Sequence, residues 1–284
     1  MKKIERGALF VSENKELFRC PTCQQAITKV KNNSVFCDNN HQFDLSKKGT
    51  LYLLKHGVKS DYDDDSLWQA RRTLLQHGLF DPIIAKISEQ LDKKASNFLD
   101  IGCGEGSVLQ RLEQFRKIKG ERYIGFDISK KAINLATQQE TNSFFCIADL
   151  ADLPFKEQSF DYLIDIFSPS AYNEFDRVLK DHGKLLKVIP NANYLGELRR
   201  LLYAKDDIKY TYSNQKVRDL FYKHYPDAKE FVINYKFKLN DTLFTSLMKM
   251  TPLQWGENAN LAVAKLHPLD EVTVDVTLLV AEKI

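Results

Sequence analysis

Apolar and polar positions follow two different periods along this chain, and the period switches repeatedly after residue 96. Short apolar runs typical of buried strands are separated by segments in which apolar residues recur every three or four positions, as on one face of a helix. Strands are predicted at Asn97–Gly102, Arg122–Asp127, Ser143–Asp149, Phe160–Phe167 and Gly183–Ile189. Helices are predicted at Ser107–Arg116, Lys130–Gln139 and Tyr172–Leu179. This alternation predicts an α/β fold in which helices cover a parallel sheet.

Two further regions flank this alternation. A helical pattern covers about residues 66–92, and Gly78 and Pro82 divide it into two helices. Residues 272–282, VTVDVTLLVAE, predict one more strand, which would suit an antiparallel edge of the sheet.

Length and composition fit a soluble globular protein of one large or two modest domains. Of its 284 residues, 43% are apolar and 11% are aromatic, which is enough to build a core and to exclude general disorder. The sequence has no apolar window of about 18 residues, so we expect no membrane span. The first 20 residues lack the apolar stretch of a secretory signal, so we expect a cytoplasmic protein with reduced cysteines.

Charge is distributed unevenly along the chain. Residues 1–56 carry ten Lys/Arg and five Asp/Glu, a net charge of +5, so the remaining residues sum to −2 against the total of +3. A basic segment on a near-neutral body indicates contact with a polyanion. The alternative is a lysine-rich surface that is simply solvated.

Three of the five cysteines fall within 18 residues and are followed by a histidine. Cys20, Cys23, Cys37 and His41 give the pattern C-P-x-C-x13-C-x3-H. Each pair suits one knuckle turn, and three sulfurs with one nitrogen form the tetrahedral set of a structural zinc site. The β-prone residues and the Asn-Asn turn between the pairs predict a hairpin. The alternative, unrelated residues that include a disulfide, is disfavoured in a reducing compartment.

The run FLDIGCGEGS is the most informative part of the body. Asp100 lies in the first of the alternating strands, and Gly102, Gly104 and Gly106 follow it and open a helix. Glycine lets the backbone approach a ligand closely. A dinucleotide fingerprint would need its third glycine where Ser107 stands, so an NAD oxidoreductase is disfavoured. The pattern D-x-G-x-G-x-G resembles motif I of class I S-adenosylmethionine-dependent methyltransferases, which implies a Rossmann-like, seven-stranded sheet and that cofactor.

Carboxylates end the next two strands. Asp127 lies 21 residues after Gly106, where an acid can accept hydrogen bonds from both ribose hydroxyls; the alternative is an acid solvated at a strand end. Asp149 ends the third strand, and the resemblance implies that it contacts adenine together with the Leu150 backbone.

The order of motifs along the whole chain resembles one family. C-P-x-C…C-x3-H-Q-F-D, G-T-L-Y-L-L, Q-A-R-R, L-D-I-G-C-G-E-G, F-D-I-S-K and the late M-T-P-x-x-W are similar to the RlmA group of 23S rRNA (guanine-N1)-methyltransferases. The stretch from D-I-F-S-P to E-F-D-R-V-L is closer to the Gram-positive branch, which is linked to tylosin and other macrolide resistance.

This resemblance implies several further features. Gly104 and Glu105 would contact the cofactor, as would aromatic side chains at Phe80 and Tyr194, where the family has Tyr and His. The partner would be 23S rRNA, and a homodimer would form a shared RNA cleft.

We therefore divide the chain into three parts. Residues 1–56 form a zinc-binding RNA-recognition module, residues 57–96 a linker with helices, and residues 97–284 the methyltransferase domain. An insertion around 196–240 carries ten Lys/Arg, six Asp/Glu and nine Tyr/Phe. Such a mixture can line a nucleic-acid cleft, or it can form a lid whose aromatics face inward.

The expected reaction transfers the sulfonium methyl to guanine N1 in a hairpin loop, with loss of the N1 proton. Asp165, near the end of the fourth strand, is the candidate base by position, although it could instead orient the guanine. Arg71 and Arg72 could contact RNA phosphate or stabilise their own helix. The alternatives are a small-molecule methyltransferase of the same fold and a non-catalytic RNA-binding protein, and the intact glycine loop argues against the second.

Overall fold

The computed structural model describes residues 1–55 and 64–283. Its N-terminal module, residues 1–55, begins with a helix and continues into a small antiparallel sheet in the order β1-β2-β3. These elements are α1 Lys3–Glu13, β1 Ile27–Lys31, β2 Ser34–Cys37 and β3 Gln42–Asp44. Asn32 and Asn33 turn the hairpin with φ of 52° and 60°, which asparagine tolerates better than most residues. The predicted hairpin is confirmed.

The body contains an eight-stranded sheet in the order β10-β11-β9-β8-β5-β6-β7-β4. Its strands are β4 Leu51–Tyr52, β5 Asn97–Ile101, β6 Arg122–Asp127, β7 Phe144–Ile147, β8 Phe160–Ile166, β9 Leu179–Pro190, β10 Lys229–Lys238 and β11 Glu271–Glu282. Strands β4 to β9 pair in parallel, whereas β11 is antiparallel to both neighbours. Seven strands follow residue 96, as the motif I resemblance implied, and the N-terminal module supplies the eighth.

Helices cover both faces of this sheet. They are α2 Asp65–Gln76, α3 Asp81–Glu89, α4 Ser107–Arg116, α5 Lys130–Ala136, α6 Tyr172–Val178, α7 Gly196–Leu202, α8 Gln215–His224, α9 Asp241–Met250 and α10 Leu261–Leu266. Neighbouring strand residues alternate between two buried clusters: Phe98 belongs to one and Leu99 to the other. This period of two is what a sheet covered on both faces requires. No helix of the described residues is long and apolar enough to cross a bilayer.

Two expectations about the edges of the body are corrected. The strand at 272–282 is antiparallel, but it lies inside the sheet because β10 covers its outer side. The segment 196–240 is more than an insertion, since its residues 229–238 form that edge strand. The first part of the predicted linker and helices at 57–96 lies outside the described residues, which resume at Asp64, the cap of α2.

Candidate active site and metal centre

The three cysteines and the histidine of the N-terminal module converge. The ligand atoms of Cys20, Cys23, Cys37 and His41 all lie within 4.8 Å of one another. The two sulfurs of Cys23 and Cys37 are 3.7 Å apart, and the His41 Nδ1 lies 3.3–3.6 Å from the three sulfurs. A tetrahedron with Zn–S of ~2.3 Å and Zn–N of ~2.0–2.1 Å has edges of about 3.6–3.8 Å. The donor set therefore fits a four-coordinate zinc ion with no open position.

The glycine loop joins β5 to α4 in a conformation that needs glycine. Gly102, Gly104 and Gly106 have φ of 63°, 57° and 85°, in the left-handed region. A Cβ at Gly102 would collide with the Ser168 hydroxyl, and one at Gly104 would lie 2.8 Å from the Trp68 ring. The loop therefore needs glycine for two reasons: its backbone angles are left-handed, and neighbouring side chains leave no space for a Cβ.

Asp127 ends β6 and is fixed by the backbone around it. Its Oδ2 accepts the Gly104 amide at 2.9 Å, and its Oδ1 accepts the Ser129 amide at 2.8 Å. Burial raises the pKa of this carboxyl, and the two amides work in the opposite direction. The backbone around the strand end therefore fixes the orientation of this carboxylate.

A cavity of about 1080 Å³ opens at the carboxyl ends of the parallel strands, and its wall includes Asp127. Ligands of open α/β sheets bind at this edge. One half of the wall carries Asp149 and Leu150 beyond the end of β7. The opposite half consists of residues 166–171, parts of α7 and residues 250–253. This volume lies at the upper end of the range of about 300–1,000 Å³ that is usual for small-ligand sites.

Two unpaired polar atoms lie next to the glycine loop. Asp100 is 2% exposed, and its Oδ2 has no hydrogen-bond partner among residues 1–55 and 64–283; burial raises its pKa well above the ordinary value. Arg71 lines the cavity, its Nε is likewise unpartnered, and its charge lowers the pKa of both Asp100 and Asp127. The guanidinium also lies over the Phe80 ring at 5.5 Å.

The residues implied by the family resemblance differ in their placement. Tyr194 lines the cavity. Phe80 is only 1% exposed and packs edge-on against Phe167, which does line the cavity. Glu105 turns away, because its carboxylate accepts from Ser107 and forms a 3.2 Å ion pair with Arg72.

The structure separates the two adjacent arginines. Arg72 holds α2 against the body through Glu105 and through the Leu135 carbonyl at 2.5 Å, so the structural alternative is confirmed for it. Arg71 instead reaches the cavity. Asp165, the candidate base, is fully buried and its Oδ2 is ion-paired to Lys187 at 2.7 Å. Burial raises its pKa to about 6, and Lys187 works in the opposite direction.

Several cavity residues were not identified from the sequence. They are Leu67 and Trp68 of α2, Arg199 of α7, Lys209, and the run Met250–Leu253. The M-T-P run was visible as a motif without a role, and α2 carried only a core pattern. The helix α1 was also missed, although Ile4, Ala8 and Val11 have helical spacing.

The fold and the cavity are those of a class I S-adenosylmethionine-dependent methyltransferase, here carrying a zinc ribbon. A methyltransferase domain profile matches residues 92–225, and a profile for the N-terminal zinc ribbon of RlmA matches residues 18–59. YxjB of Bacillus subtilis, provisionally assigned as a 23S rRNA (guanine-N(1)-)-methyltransferase, is 36% identical over 94% of this chain and 97% of its own. The 23S rRNA (guanine(748)-N(1))-methyltransferase of Streptomyces fradiae is 26% identical, over 92% of this chain and 95% of its own. The chain belongs to the RlmA family of rRNA methyltransferases.

Proposed function

We propose that this enzyme methylates N1 of a guanine in a hairpin loop of 23S rRNA. The observation that carries the proposal is the match to relatives named for that reaction over nearly their whole length, zinc ribbon included. A fold alone would not define the substrate, because class I methyltransferases act on many.

The cofactor would lie across the glycine loop. Asp127 would accept the ribose hydroxyls, and Asp149 with Leu150 would border the adenine. Gly102 and Gly106 would let the backbone approach, as would Gly104. Bound S-adenosylmethionine supplies an electrophilic methyl group.

The amino-acid end of the cofactor has two expected partners. Asp100 is a buried acid with an unpaired oxygen, which suits the ammonium group directly or through a water molecule. Arg71 is the cation beside Gly104 and suits the carboxylate. Tyr194 remains a predicted contact, whereas Phe80 would act by supporting Phe167 and Arg71.

The target guanine would enter the other half of the cavity. Phe167 and Tyr194 offer aromatic surfaces, and Arg199 and Lys209 offer positive charge. A base must leave its stack to reach the methyl group. A cation at guanine O6 would stabilise the negative charge that develops as N1 loses its proton.

The basic N-terminal module would hold RNA phosphates. Its net charge of +5 over residues 1–56 suits that contact. Zinc would be structural, since the ligand set is closed. We further propose a homodimer with a shared RNA cleft and a cytoplasmic location, both carried over from the sequence.

Methylation of 23S rRNA fragments with isotopically labelled cofactor tests the function. Mass spectrometry should find the methyl group on N1 of one hairpin guanine, and primer extension should stop there because N1 takes part in base pairing. A fragment with adenine at that position is the control and should accept nothing. A methyl group on a ribose, on cytosine or on a small molecule would contradict the proposal.

A further inference from the structure

A buried ion pair lies directly behind the part of the cavity wall formed by residues 167–171. Asp165 on β8 and Lys187 on β9 are opposite each other in the parallel register. Lys187 Nζ lies 2.7 Å from Asp165 Oδ2, and the two side chains are 3% and 0% exposed. A buried charge without a partner is strongly unfavourable, so each of these groups depends on the other.

Both members of the pair also hold the wall itself. The Ser168 amide donates to Asp165 Oδ1 at 3.1 Å, and Lys187 Nζ donates to the Ser168 carbonyl at 2.9 Å. The Ser170 side chain also favours the charged form of Asp165 and so lowers the pKa of that carboxyl. One ion pair therefore fixes the amide and the carbonyl of Ser168.

The wall needs such support because its conformation is unfavourable. Phe167 has φ of 62°, in the left-handed region that a bulky residue rarely adopts. Strain of this kind persists where surrounding contacts over-determine the backbone, and it is common at functional sites. Ser168 also touches the cofactor loop, since its hydroxyl fills the space beside Gly102.

We propose that Asp165 and Lys187 are positioning residues that hold residues 167–171 against the target base, and that Asp165 does not accept the N1 proton. Asp165 is fully buried and is not part of the cavity wall within the described ranges. Each of its carboxylate oxygens already accepts a donor that the wall needs. This proposal depends on the proposed function only because its test measures the methylation of rRNA.

The test compares Asp165→Asn, Lys187→Met and the double variant. Each single change leaves an unpaired group in the interior, and a wall misplaced by about 1 Å can cost about 100-fold in rate. We expect kcat on the rRNA hairpin to fall by about 30- to 300-fold, with cofactor affinity by calorimetry changing less than about threefold. The double variant removes both charges. Its kcat should be about tenfold higher than that of Asp165→Asn, because a single buried charge without a partner is less favourable than no buried charge.

Two further variants keep the test decisive. Lys180→Met breaks the 2.9 Å pair with Asp161 that joins the same two strands at their other end, and it should leave kcat unchanged. Ser170→Ala removes a polar side chain that favours the charged form of Asp165 and buries no charge, so it can be measured even if the charge variants fail to fold. It should lower kcat by about three- to tenfold, as expected for the loss of one polar contact; an unchanged kcat would overturn the proposal.

The double variant decides between positioning and proton transfer. If it is as inactive as Asp165→Asn while Lys187→Met is nearly normal, Asp165 accepts the proton and the proposal is overturned. Cofactor affinity that falls as far as kcat would indicate general damage and would also overturn it. If the wild-type enzyme methylates a different acceptor, only the substrate assignment fails, and the same variants assayed on that acceptor test the pair.

Discussion

The three-stranded sheet of the N-terminal module and the eight-stranded sheet of the body differ in how much apolar surface they bury. Every residue of β5 and β7 is buried, whereas β1 buries one residue of five and β3 buries none of three. A sheet of three short strands needs help beyond its own backbone hydrogen bonds, such as a hydrophobic face or a packed helix. In the module the zinc ligands supply that help, and in the body the apolar core supplies it.

The module nevertheless has two ends with different supports. At the tip, β2 and the two knuckles depend on Cys20, Cys23, Cys37 and His41. At the root, Phe18 belongs to the same buried cluster as the body, and this cluster also reaches the ligands Cys20 and Cys37. Metal binding and the apolar core therefore both stabilise this small module, and their separate contributions can be tested.

Loss of the metal should have the largest effect. Cys37→Ser replaces one thiolate of the closed ligand set, so the tip should release zinc and lose order because metal binding supplies folding energy. Methylation of rRNA should fall by at least about 100-fold, since the module holds the substrate, while cofactor affinity stays within about threefold. Zinc content, calorimetry with S-adenosylmethionine and methylation are measured on the same protein.

The matched control is Asn39→Ala, an exposed change between the two ligands of the second knuckle. It should leave zinc content and activity unaltered. A zinc-free Cys37→Ser protein that methylates rRNA at the normal rate would show that the tip does not recognise substrate.

The second effect should fall on the cofactor and spare the module. Asp127→Ala removes the acceptor of two expected ribose hydrogen bonds, each contributing about 1.5–3 kcal/mol before desolvation. Affinity for S-adenosylmethionine should weaken by about tenfold to a few hundredfold, and zinc content should not change. Lys130→Ala, exposed on the following helix, is the control. Unchanged calorimetry for Asp127→Ala would remove this residue from the cofactor site.

Much of the site could be predicted where function follows from local sequence. The zinc ligands could be predicted from their spacing within two knuckles. The positions of Gly102 and Asp127 could be predicted because parallel pairing places the carboxyl ends of β5 and β6 side by side. Glu105 stays a predicted cofactor contact. The orientation of its carboxylate depends on Arg72 and Gln139, 33 and 34 positions away, which no local pattern shows.

The half of the cavity formed by residues after β9 could not be predicted, because it also depends on contacts between residues that are distant in sequence. Arg199 and Lys209 come from segments after the last parallel strand, and Met250–Leu253 come from further still. No local pattern marks them, because their position depends on how α7 and α9 pack over the sheet. The edge strand β10 was hidden inside a basic and aromatic segment whose composition suggested a surface.

The third prediction concerns that half and should have an intermediate effect. Arg199 lines the cavity and keeps one Nη on the Lys209 carbonyl at 3.1 Å. If Arg199 contacts the guanine or its phosphate, Arg199→Met should raise KM for rRNA by about tenfold, corresponding to about 1.4 kcal/mol. Cofactor affinity should not change. Arg200→Met, exposed at the next position, is the matched control, and equal losses in both variants would make the effect one of general surface charge.

The smallest effect should come from the root of the module, where Arg19 links it to the body. Arg19 donates to the Leu153 carbonyl at 3.0 Å and to Asp152 at 2.8 Å, and its side chain is 16% exposed. Arg19→Met keeps most of the apolar stem and removes these bonds, so we expect a loss of about 1–2 kcal/mol and a fall in Tm of about 2–6 °C. Zinc content should stay normal, because Arg19→Met changes none of the four ligand side chains, although Cys20 is the next residue. Lys55→Met removes a more exposed partner of the same Asp152 and should cost at most about 1 kcal/mol of stability.

If Arg19→Met lost zinc as well as stability, the root and the tip would form one cooperative unit. The proposal that the core stabilises the root and the metal stabilises the tip would then be wrong.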